Sequence, residues 1–492
     1  SRNDMPQVTY SATKFDKGMT PKVFTPNSAT RIEHFDTITE VLRPFRTLIS
    51  SPNNQGTTIE SMKLTGFDIL NDSIYAVGYE WTGGVTGAIY KWNTSAFDWE
   101  DKQSLGGTLV PTSMLQSHAG YLFGLQNSRY LYRFDGVSTF NTTFYDTGAA
   151  FTNGFADAIT HSKDGKMYFA TDNKIHTVDS TGATGSLALT LPNGNFRVTS
   201  ICEQGNYIQI AGYDVKTGES ASLLWDRDTS VVDLTESYAL GRDTVVHNTC
   251  LLGQTFTVQV RADSSNSSFQ EKPVLVIKYL NGAQFDTLYE FPVSSLSVPN
   301  NMIGAKYQSL DRFYFTAKVQ FDGESAARNV CFCLDYKGRL TIAQNLAIDT
   351  GTNPITGVLR NGEAFWFGAG SDGAWNTTTS YTTTAAYETN DIRSDNFGMN
   401  LDFKKLFVTC EPLPASGQIL VKMRKNEETT FTTVATLTGT NTAKFSLTEM
   451  KVKNALTGLD RAKQVRIRLE STAGAVITGL QAIFNEVADD TI

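Results

Sequence analysis

The chain has 492 residues and a formal net charge of −8, with 42 basic and 50 acidic side chains. This acidic balance excludes wrapping of nucleic acid through phosphate neutralisation, so we expect no specific nucleic-acid partner. The hydrophobic fraction of 40% is that of a globular protein, and 39 glycines among many Thr, Asn and Ser residues favour an all-β fold with many turns. A chain of this length needs several domains, or one large repeat domain with an addition.

No apolar stretch approaches the ~20 residues that cross a bilayer, so we expect no membrane-spanning segment. The first residues, Ser1 to Asp4, lack the apolar region of a secretory signal peptide, which predicts synthesis and assembly in a cytoplasm. The five cysteines include no C-x-x-C pair, and we interpret them as buried thiols.

Residues 1–58 are predicted to form an extended N-terminal arm. Their apolar residues are widely spaced and interrupted by prolines, a pattern too sparse for an independent core. We expect the arm to pack on another surface during assembly. Four phenylalanines are the predicted anchors: Phe15, Phe24, Phe35 and Phe45.

A repeated two-strand pattern fills residues 59–384. An aromatic strand ends on a small residue, and a second strand ends on a large apolar residue followed by Asn or Asp. The clearest copy is Tyr121–Gly124 with Tyr130–Asp135. The Asn and Asp positions recur every 41 to 55 residues, at Asn93, Asp135, Asp179, Asp226, Asn281, Asp335 and Asn376. Repeats of this length predict a β-propeller of about seven blades, with six or eight as alternatives.

The repeated residues have structural explanations. A small residue such as Gly124 follows the inner strand because blades taper toward a central channel. The large residue before Asn or Asp, such as Phe134 or Trp225, is expected to fill the space between neighbouring blades. The Asn or Asp should open a turn by bonding the backbone ahead of it. We predict that the strand from Glu60 to Phe67 closes the ring by pairing with the last blade.

Residues 388–488 no longer show the repeat and are predicted to form a C-terminal β-sandwich of jelly-roll type. In the stretch from Gln464 to Ser471, apolar residues alternate with charged ones, which predicts strands with one buried and one solvated face. The segment from residue 377 to 384, rich in threonine, is the expected linker.

The sequence offers no catalytic or metal-binding motif. The five histidines lie apart, and no nucleophile elbow or phosphate-binding loop occurs. We therefore predict no catalytic residue, no cofactor, no metal and no enzymatic activity. Three aromatic residues are candidates for stacking on a sugar or for contacting a partner, although each is also explained as a filler between blades: Trp81, Trp99 and Tyr279.

The end of the chain carries a resemblance. The segments Phe403–Val408, Gln464–Leu469 and Val476–Phe484 resemble the x-R-x-R-φ and G-φ-x-φ-φ strands that end tail nozzle proteins of short-tailed bacteriophages, which also contain a propeller. The resemblance implies a ring-forming or peripheral component of a phage tail, assembled in the host cytoplasm. It carries over no catalytic residue.

Three hypotheses follow. The first is a non-enzymatic structural protein of the virion, a nozzle, hub or ring component that assembles with other tail proteins and with copies of itself. The alternative is a receptor- or glycan-binding protein on the virion surface or tail tip. The third is a propeller hydrolase, for which we expect activity screens to find no turnover.

Overall fold

The computed structural model describes residues 6–12, 14–15, 18–19, 29–37, 40–50, 62–80, 87–96, 98–106, 111–126, 129–148, 156–228, 237–241, 245–261, 273–293, 295–297, 306–321, 324–346, 355, 357–368, 374–381, 383–396, 398–426, 428–438, 446–450 and 462–488. In this part of the chain the regular structure is all β, and no α-helix occurs. The chain divides into two compact units. Unit 1 comprises Ser1–Leu48, Phe332–Asn345 and Thr377–Ile492, and unit 2 comprises Ile49–Cys331 and Leu346–Asn376.

The strands are numbered along the chain. The first are β1 (Gln7–Ala12), β2 (Ala29–Glu33), β3 (Phe35–Asp36), β4 (Arg43–Pro44) and β5 (Leu48–Ser50). Next come β6 (Met62–Leu70), β7 (Ser73–Glu80), β8 (Gly87–Asn93), β9 (Asp98–Gly106), β10 (Pro111–His118), β11 (Tyr121–Gln126), β12 (Tyr130–Phe134) and β13 (Phe140–Asp146). They continue with β14 (Ala156–Thr160), β15 (Met167–Thr171), β16 (Lys174–Val178), β17 (Gly185–Thr190), β18 (Phe196–Gln204), β19 (Tyr207–Asp214), β20 (Ser220–Trp225) and β21 (Ser237–Gly241).

The later strands are β22 (Val245–Leu251), β23 (Gln254–Arg261), β24 (Val274–Leu280), β25 (Phe285–Pro292), β26 (Ser295–Ser297), β27 (Lys306–Gln308), β28 (Arg312–Gln320), β29 (Arg328–Asp335) and β30 (Leu340–Leu346). They end with β31 (Gly357–Asn361), β32 (Ala364–Gly368), β33 (Ala374–Thr377), β34 (Ala385–Thr389), β35 (Ile392–Arg393), β36 (Met399–Cys410), β37 (Gln418–Lys425), β38 (Thr432–Thr438), β39 (Ser446–Met450), β40 (Gln464–Thr472) and β41 (Ile477–Ala488).

Unit 2 is a series of small antiparallel sheets built from strands that are neighbours in sequence. The sheets β6–β9, β10–β13, β14–β17, β18–β21 and β22–β25 each hold four strands in chain order. Strands β26 and β27 both pair with β28. The predicted repeat therefore corresponds to consecutive four-stranded sheets, and the all-β fold is confirmed.

Five of the seven Asn and Asp residues of the repeat open turns, as predicted, whereas Asn376 lies within β33 and pairs with Trp366. At Asn93, Asp135, Asp179, Asp226 and Asp335, the side-chain Oδ1 accepts the backbone N–H two residues ahead. This bond replaces a ladder partner just where the strand stops, which is why Asn and Asp recur at that position.

The core of unit 2 lies between neighbouring sheets. Phe134 of one sheet packs in the same apolar cluster as Leu70 and Tyr75 of the preceding sheet. Trp225 meets Tyr168 across the next pair of sheets, with ring centroids 5.9 Å apart. The residue before the Asn or Asp thus fills the space between sheets, as the sequence predicted.

The first strands of successive sheets contact one another in order. Strand β6 contacts β10, β10 contacts β14, β14 contacts β18, and β18 contacts β22. Contacts continue from β22 to β28 and from β27 to β31, and β31 in turn contacts β6. The series of sheets in unit 2 therefore returns to its starting strand.

The predicted closing strand was wrong in its position. The stretch from Glu60 to Phe67 largely belongs to β6, which pairs with β7 in the first sheet. The strand that joins β31, β32 and β33 as the fourth member is β5. Because β5 has only three residues and no alternating pattern, no sequence signal indicates it.

Unit 1 contains two sheets assembled from distant parts of the chain. One has the order β1-β41-β36-β39, and the other includes β30-β2-β34-β40-β37-β38. Strand β1 pairs antiparallel with β41, where Gln7 lies opposite Asn485. Tyr10 of the first sheet shares a hydrogen bond of 2.8 Å with Tyr387 of the second. The two sheets are thus joined through buried and half-buried side chains.

The boundaries of the two units differ from the predicted domains 1–58, 59–384 and 388–488. Most of the predicted arm belongs to unit 1, because β1 and β2 pair with strands of that unit. Residues 332–345 also belong to unit 1, although the sequence placed them in the repeat. These pairings join residues several hundred positions apart, which no local pattern can indicate.

Three of the four predicted assembly anchors are core residues of the chain itself. Phe15, Phe35 and Phe45 are all buried within unit 1. The Phe15 ring lies 4.9 Å from the ring of Tyr387 in an edge-on contact. Their aromatic surface is therefore occupied and does not face a partner, which corrects the prediction. Phe24 lies outside the described residues.

Candidate functional site

Trp99 and Tyr279 are the two predicted sugar-stacking residues that the structure describes. Trp99 is 1% exposed and packs on Trp92 and Phe67, with ring centroids 5.3 and 5.9 Å away. Its ring faces are thus covered by its own sheet, and the prediction of a surface platform was wrong for Trp99. Tyr279 is half-buried on β24 opposite Phe256, and its contact role stays a prediction. Trp81 lies outside the described residues.

A cavity of about 750 Å³ lies inside unit 2. Its wall is formed by residues of β6, β10, β14, β18, β22 and β27, together with the turns that follow β14, β18, β22 and β27. Strands of six sheets thus converge on one space. Their side chains, and not those of the outer strands, determine its chemistry.

A charged pair stands in the cavity wall. The Lys306 Nζ donates to Asp157 Oδ1 at 2.5 Å and to His247 Nε2 at 3.3 Å. The other carboxylate oxygen of Asp157 accepts the Ile201 N–H at 2.9 Å. His247 is buried and stacks on Phe313, with ring centroids 4.8 Å apart and an interplanar angle of 6°. Three sheets therefore meet at one lysine ammonium.

Asp68 and Asp157 make the same pattern of hydrogen bonds. Asp68 on β6 accepts the N–H of Ile69 at 2.7 Å and that of Ser117 on β10. Asp157 on β14 accepts the N–H of Ala158 at 3.0 Å and that of Ile201 on β18. Each carboxylate thus binds its own strand and the first strand of a neighbouring sheet.

Where the later sheets meet, a hydroxyl or a side-chain amide makes the connection that a carboxylate makes in the earlier ones. The Ser200 Oγ on β18 accepts the Asn248 N–H of β22 at 2.7 Å. Gln308 on β27 donates to the Cys250 carbonyl at 2.9 Å and accepts the Thr249 hydroxyl at 2.8 Å. Side chains therefore connect these inner strands where no backbone ladder joins one sheet to the next.

Burial controls the electrostatics of the cavity. Burial lowers the pKa of Lys306, and the adjacent Asp157 carboxylate opposes this shift. Burial raises the pKa of Asp68, while the N–H donors of Ser117 and Ile69 oppose it. Burial also lowers the pKa of His247 well below its usual value, with a smaller contribution from Lys306. His247 is therefore neutral at pH 7, and its Nε2 can accept a hydrogen bond from the Lys306 ammonium.

The five cysteines form no disulfide, as expected. Cys202 lines the cavity, and burial raises its thiol pKa well above the usual value, which keeps it protonated and unreactive. Among the described residues, no group of three His, Cys, Asp or Glu side chains is arranged to hold a metal ion. In the same part of the chain, no helix is long and apolar enough to cross a bilayer.

Sequence reasoning missed this cavity. Asp157 and Lys306 are separated by 149 positions and belong to no motif. A weak signal existed, because a Gly-Phe pair stands directly before Asp68 and one residue before Asp157. For Lys306 and His247 the sequence held no comparable signal.

No protein-family model matches the chain, and no curated protein matches it. Among solved structures, the computationally designed Ika8 protein is similar with a TM-score of 0.41 and 14% identity, covering 65% of this chain and 99% of Ika8. The hydrazine synthase of Kuenenia stuttgartiensis is similar with a TM-score of 0.39 and 7% identity, covering 61% of this chain and 99% of that one. Both similarities are too loose to bear on function.

Proposed function

We propose that unit 2 is a β-propeller of seven blades around the cavity. The blades are the sheets that begin with β6, β10, β14, β18, β22, β27 and β31, and the contact of β31 with β6 supports ring closure. Unit 1 is proposed to be a two-sheet β-sandwich. A cryo-electron-microscopy map should resolve seven radial sheets, whereas six, eight or an open row would contradict the count.

We propose that the chain is a non-enzymatic structural protein of a bacteriophage tail, a nozzle, hub or ring component. The observation that carries this proposal is the use of the cavity carboxylates. Asp68 and Asp157 are both engaged by backbone donors of neighbouring sheets, which is a scaffolding role. The strands that resemble tail nozzle proteins support it, since their segments lie on β36, β40 and β41.

The proposed partners are other tail proteins and further copies of this chain in a ring, assembled in the host cytoplasm. Light scattering coupled to gel filtration, followed by negative-stain electron microscopy of the purified chain, tests the proposal. Closed rings with an axial opening are expected. A chain that stays monomeric at high concentration and in the presence of phage tail proteins would contradict it.

The alternative function, receptor or glycan binding, now rests on Tyr279 among the described residues. A glycan array with the parent chain and the Tyr279→Ala variant tests it. Saturable binding that Tyr279→Ala abolishes would favour this alternative, and the absence of binding removes it.

A further inference from the structure

Two leucines at the cavity are exposed to solvent. Leu252 is 53% exposed and Leu310 is 76% exposed, and both contribute to the cavity wall. They are neighbours, because the Leu252 N–H donates to the Leu310 carbonyl at 3.1 Å. Large aliphatic side chains are stabilised by burial, so a pair of them beside a cavity marks a surface suited to contact.

The same cavity carries an excess of negative charge. Asp68, Asp157 and Glu203 line it together with one cation, Lys306. The Asp157–Lys306 pair is internally neutral at 2.5 Å. Asp68 and Glu203 remain as carboxylates whose hydrogen-bond donors are neutral: backbone N–H groups for Asp68, and the N–H and hydroxyl of Ser162 for Glu203. A cation entering the cavity would meet two uncompensated charges in a partly desolvated space.

From these two features we infer that the cavity is a docking site for a partner segment that presents a lysine or arginine between aliphatic residues. The basic side chain enters toward Asp68 and Glu203, and the flanking aliphatic groups cover Leu252 and Leu310. The volume of about 750 Å³ accommodates a few side chains. The inference names the chemistry of a partner contact, and it depends on the proposed tail function only for which protein supplies the segment.

The test uses a fluorescein-labelled peptide of sequence Gly-Leu-Leu-Lys-Leu-Leu-Gly and fluorescence anisotropy with the full chain. We expect saturable binding that is about tenfold weaker when glutamate replaces the lysine, since like charge at the cavity opposes docking. Binding of the lysine peptide should also weaken as salt rises. Equal affinity for the lysine and glutamate peptides, or no binding of either, overturns the inference.

Variants locate the site. Leu310→Ser and Glu203→Gln are each expected to lower the affinity for the lysine peptide about fivefold. The first removes apolar contact, and the second removes charge. Leu187→Ser is the matched control, because Leu187 is a 51% exposed leucine of unit 2 that does not line the cavity. Tryptophan emission and thermal melting, both unchanged from the parent chain, verify folding. Full retention of affinity in Leu310→Ser overturns the inference.

A second copy of the chain is the competing occupant. Sedimentation of the parent chain and of Leu310→Ser separates the two cases. If the variant loses an association that the parent shows with itself, the face is a contact between copies and the inference fails. If self-association is unchanged while peptide binding falls, the inference stands even when the tail function is disproved.

Discussion

The two units are built in opposite ways. In unit 2, five sheets each use four strands that follow one another, so that β10 to β13 pair in order. In unit 1, β1 pairs with β41, and β2 lies between β30 and β34. Local pairing needs short loops and a recurring pattern, whereas distant pairing needs only matching edges. A repeat in the sequence therefore identifies the unit whose strands pair locally. It does not indicate which distant strands pair to form the other unit.

The units also differ in how they can be observed. All tryptophans of the chain fall within the sequence ranges of unit 2: Trp81, Trp92, Trp99, Trp225, Trp366 and Trp375. Tryptophan emission therefore follows unit 2, while hydrogen exchange of β1, β34 and β41 amides follows unit 1. These two signals allow the comparison to be tested by substitution.

The largest effect is expected in unit 1. Phe15→Ala removes a buried ring from the Tyr387 contact and should lower the free energy of unfolding of unit 1 by about 3–5 kcal/mol. Hydrogen exchange should accelerate in β1 and β34, while the tryptophan transition in urea stays within about 0.5 kcal/mol of the parent.

The matched control is Phe431→Ala, a half-buried phenylalanine of the same unit, for which a smaller loss is expected. The tryptophan transition and hydrogen exchange in β1 each report a loss of unfolding free energy. If Phe15→Ala lowers both by the same amount, the two units unfold together and do not differ in stability.

The next effect concerns the charged pair of unit 2. Asp157→Ala leaves the Lys306 ammonium buried without its counter-charge and removes the acceptor of the Ile201 N–H. We expect a loss of about 3 kcal/mol in the free energy of unfolding, measured by tryptophan emission in urea. The double variant Asp157→Ala/Lys306→Met should recover most of it, because no isolated charge remains. An unchanged midpoint for Asp157→Ala would show that these side chains do not hold the sheets together.

A glycine tests the packing inside one sheet. A Cβ at Gly124 would clash with the ring of Tyr132, its cross-strand partner, which is fully buried. Gly124→Ala should therefore cost about 1–3 kcal/mol in unit 2. Gly194→Ala is the control, since a Cβ there meets nothing within 4 Å. Equal tryptophan transitions for the two variants would contradict the packing explanation for the small residue.

The smallest effect depends on pH. Partial burial alone would raise the pKa of Asp135, but the N–H groups of Val137, Ser138 and Thr139 outweigh it and lower the pKa to about 2. The pKa of an aspartate in the unfolded chain is ~3.9. The Asp135 carboxylate therefore stabilises the fold above about pH 4, and this contribution is lost as the pH falls through about 2. Asp135→Asn should cost at most about 1 kcal/mol at pH 7.

Urea midpoints of the parent chain and Asp135→Asn, followed by tryptophan emission, should converge between about pH 4 and pH 2. A difference that stays constant over this range would mean that the Asp135 side chain acts through shape and not through charge.

The sequence predicted those features whose cause is local. The turn at Asp135 follows from a carboxylate next to free backbone donors, and the contact of Trp225 with Tyr168 follows from a large residue at the end of each second strand. For the same reason the all-β fold and the four-stranded repeat could be anticipated. The number of blades cannot be read from spacing alone, because the intervals vary.

The features that escaped prediction depend on distant residues. Phe15 looked like an anchor for a partner because its cover, Tyr387, lies far along the chain. Trp99 looked like a surface ring because the pattern does not reveal that Trp92 and Phe67 cover it. Lys306 carried no signal, since a single lysine in a strand is ordinary until Asp157 and His247 are brought beside it.

The pairing of β1 with β41 has a consequence for the timing of synthesis. Gln7 leaves the ribosome long before its partner Asn485, because the two residues are 478 positions apart. At roughly 5–20 residues per second, the interval lasts some tens of seconds. During this time the early sheets of unit 2 have all their strands available, while the edge of β1 is unpaired. Strand β1 therefore reaches its native partner late in synthesis, and its unpaired edge is the one that a chaperone would need to shield.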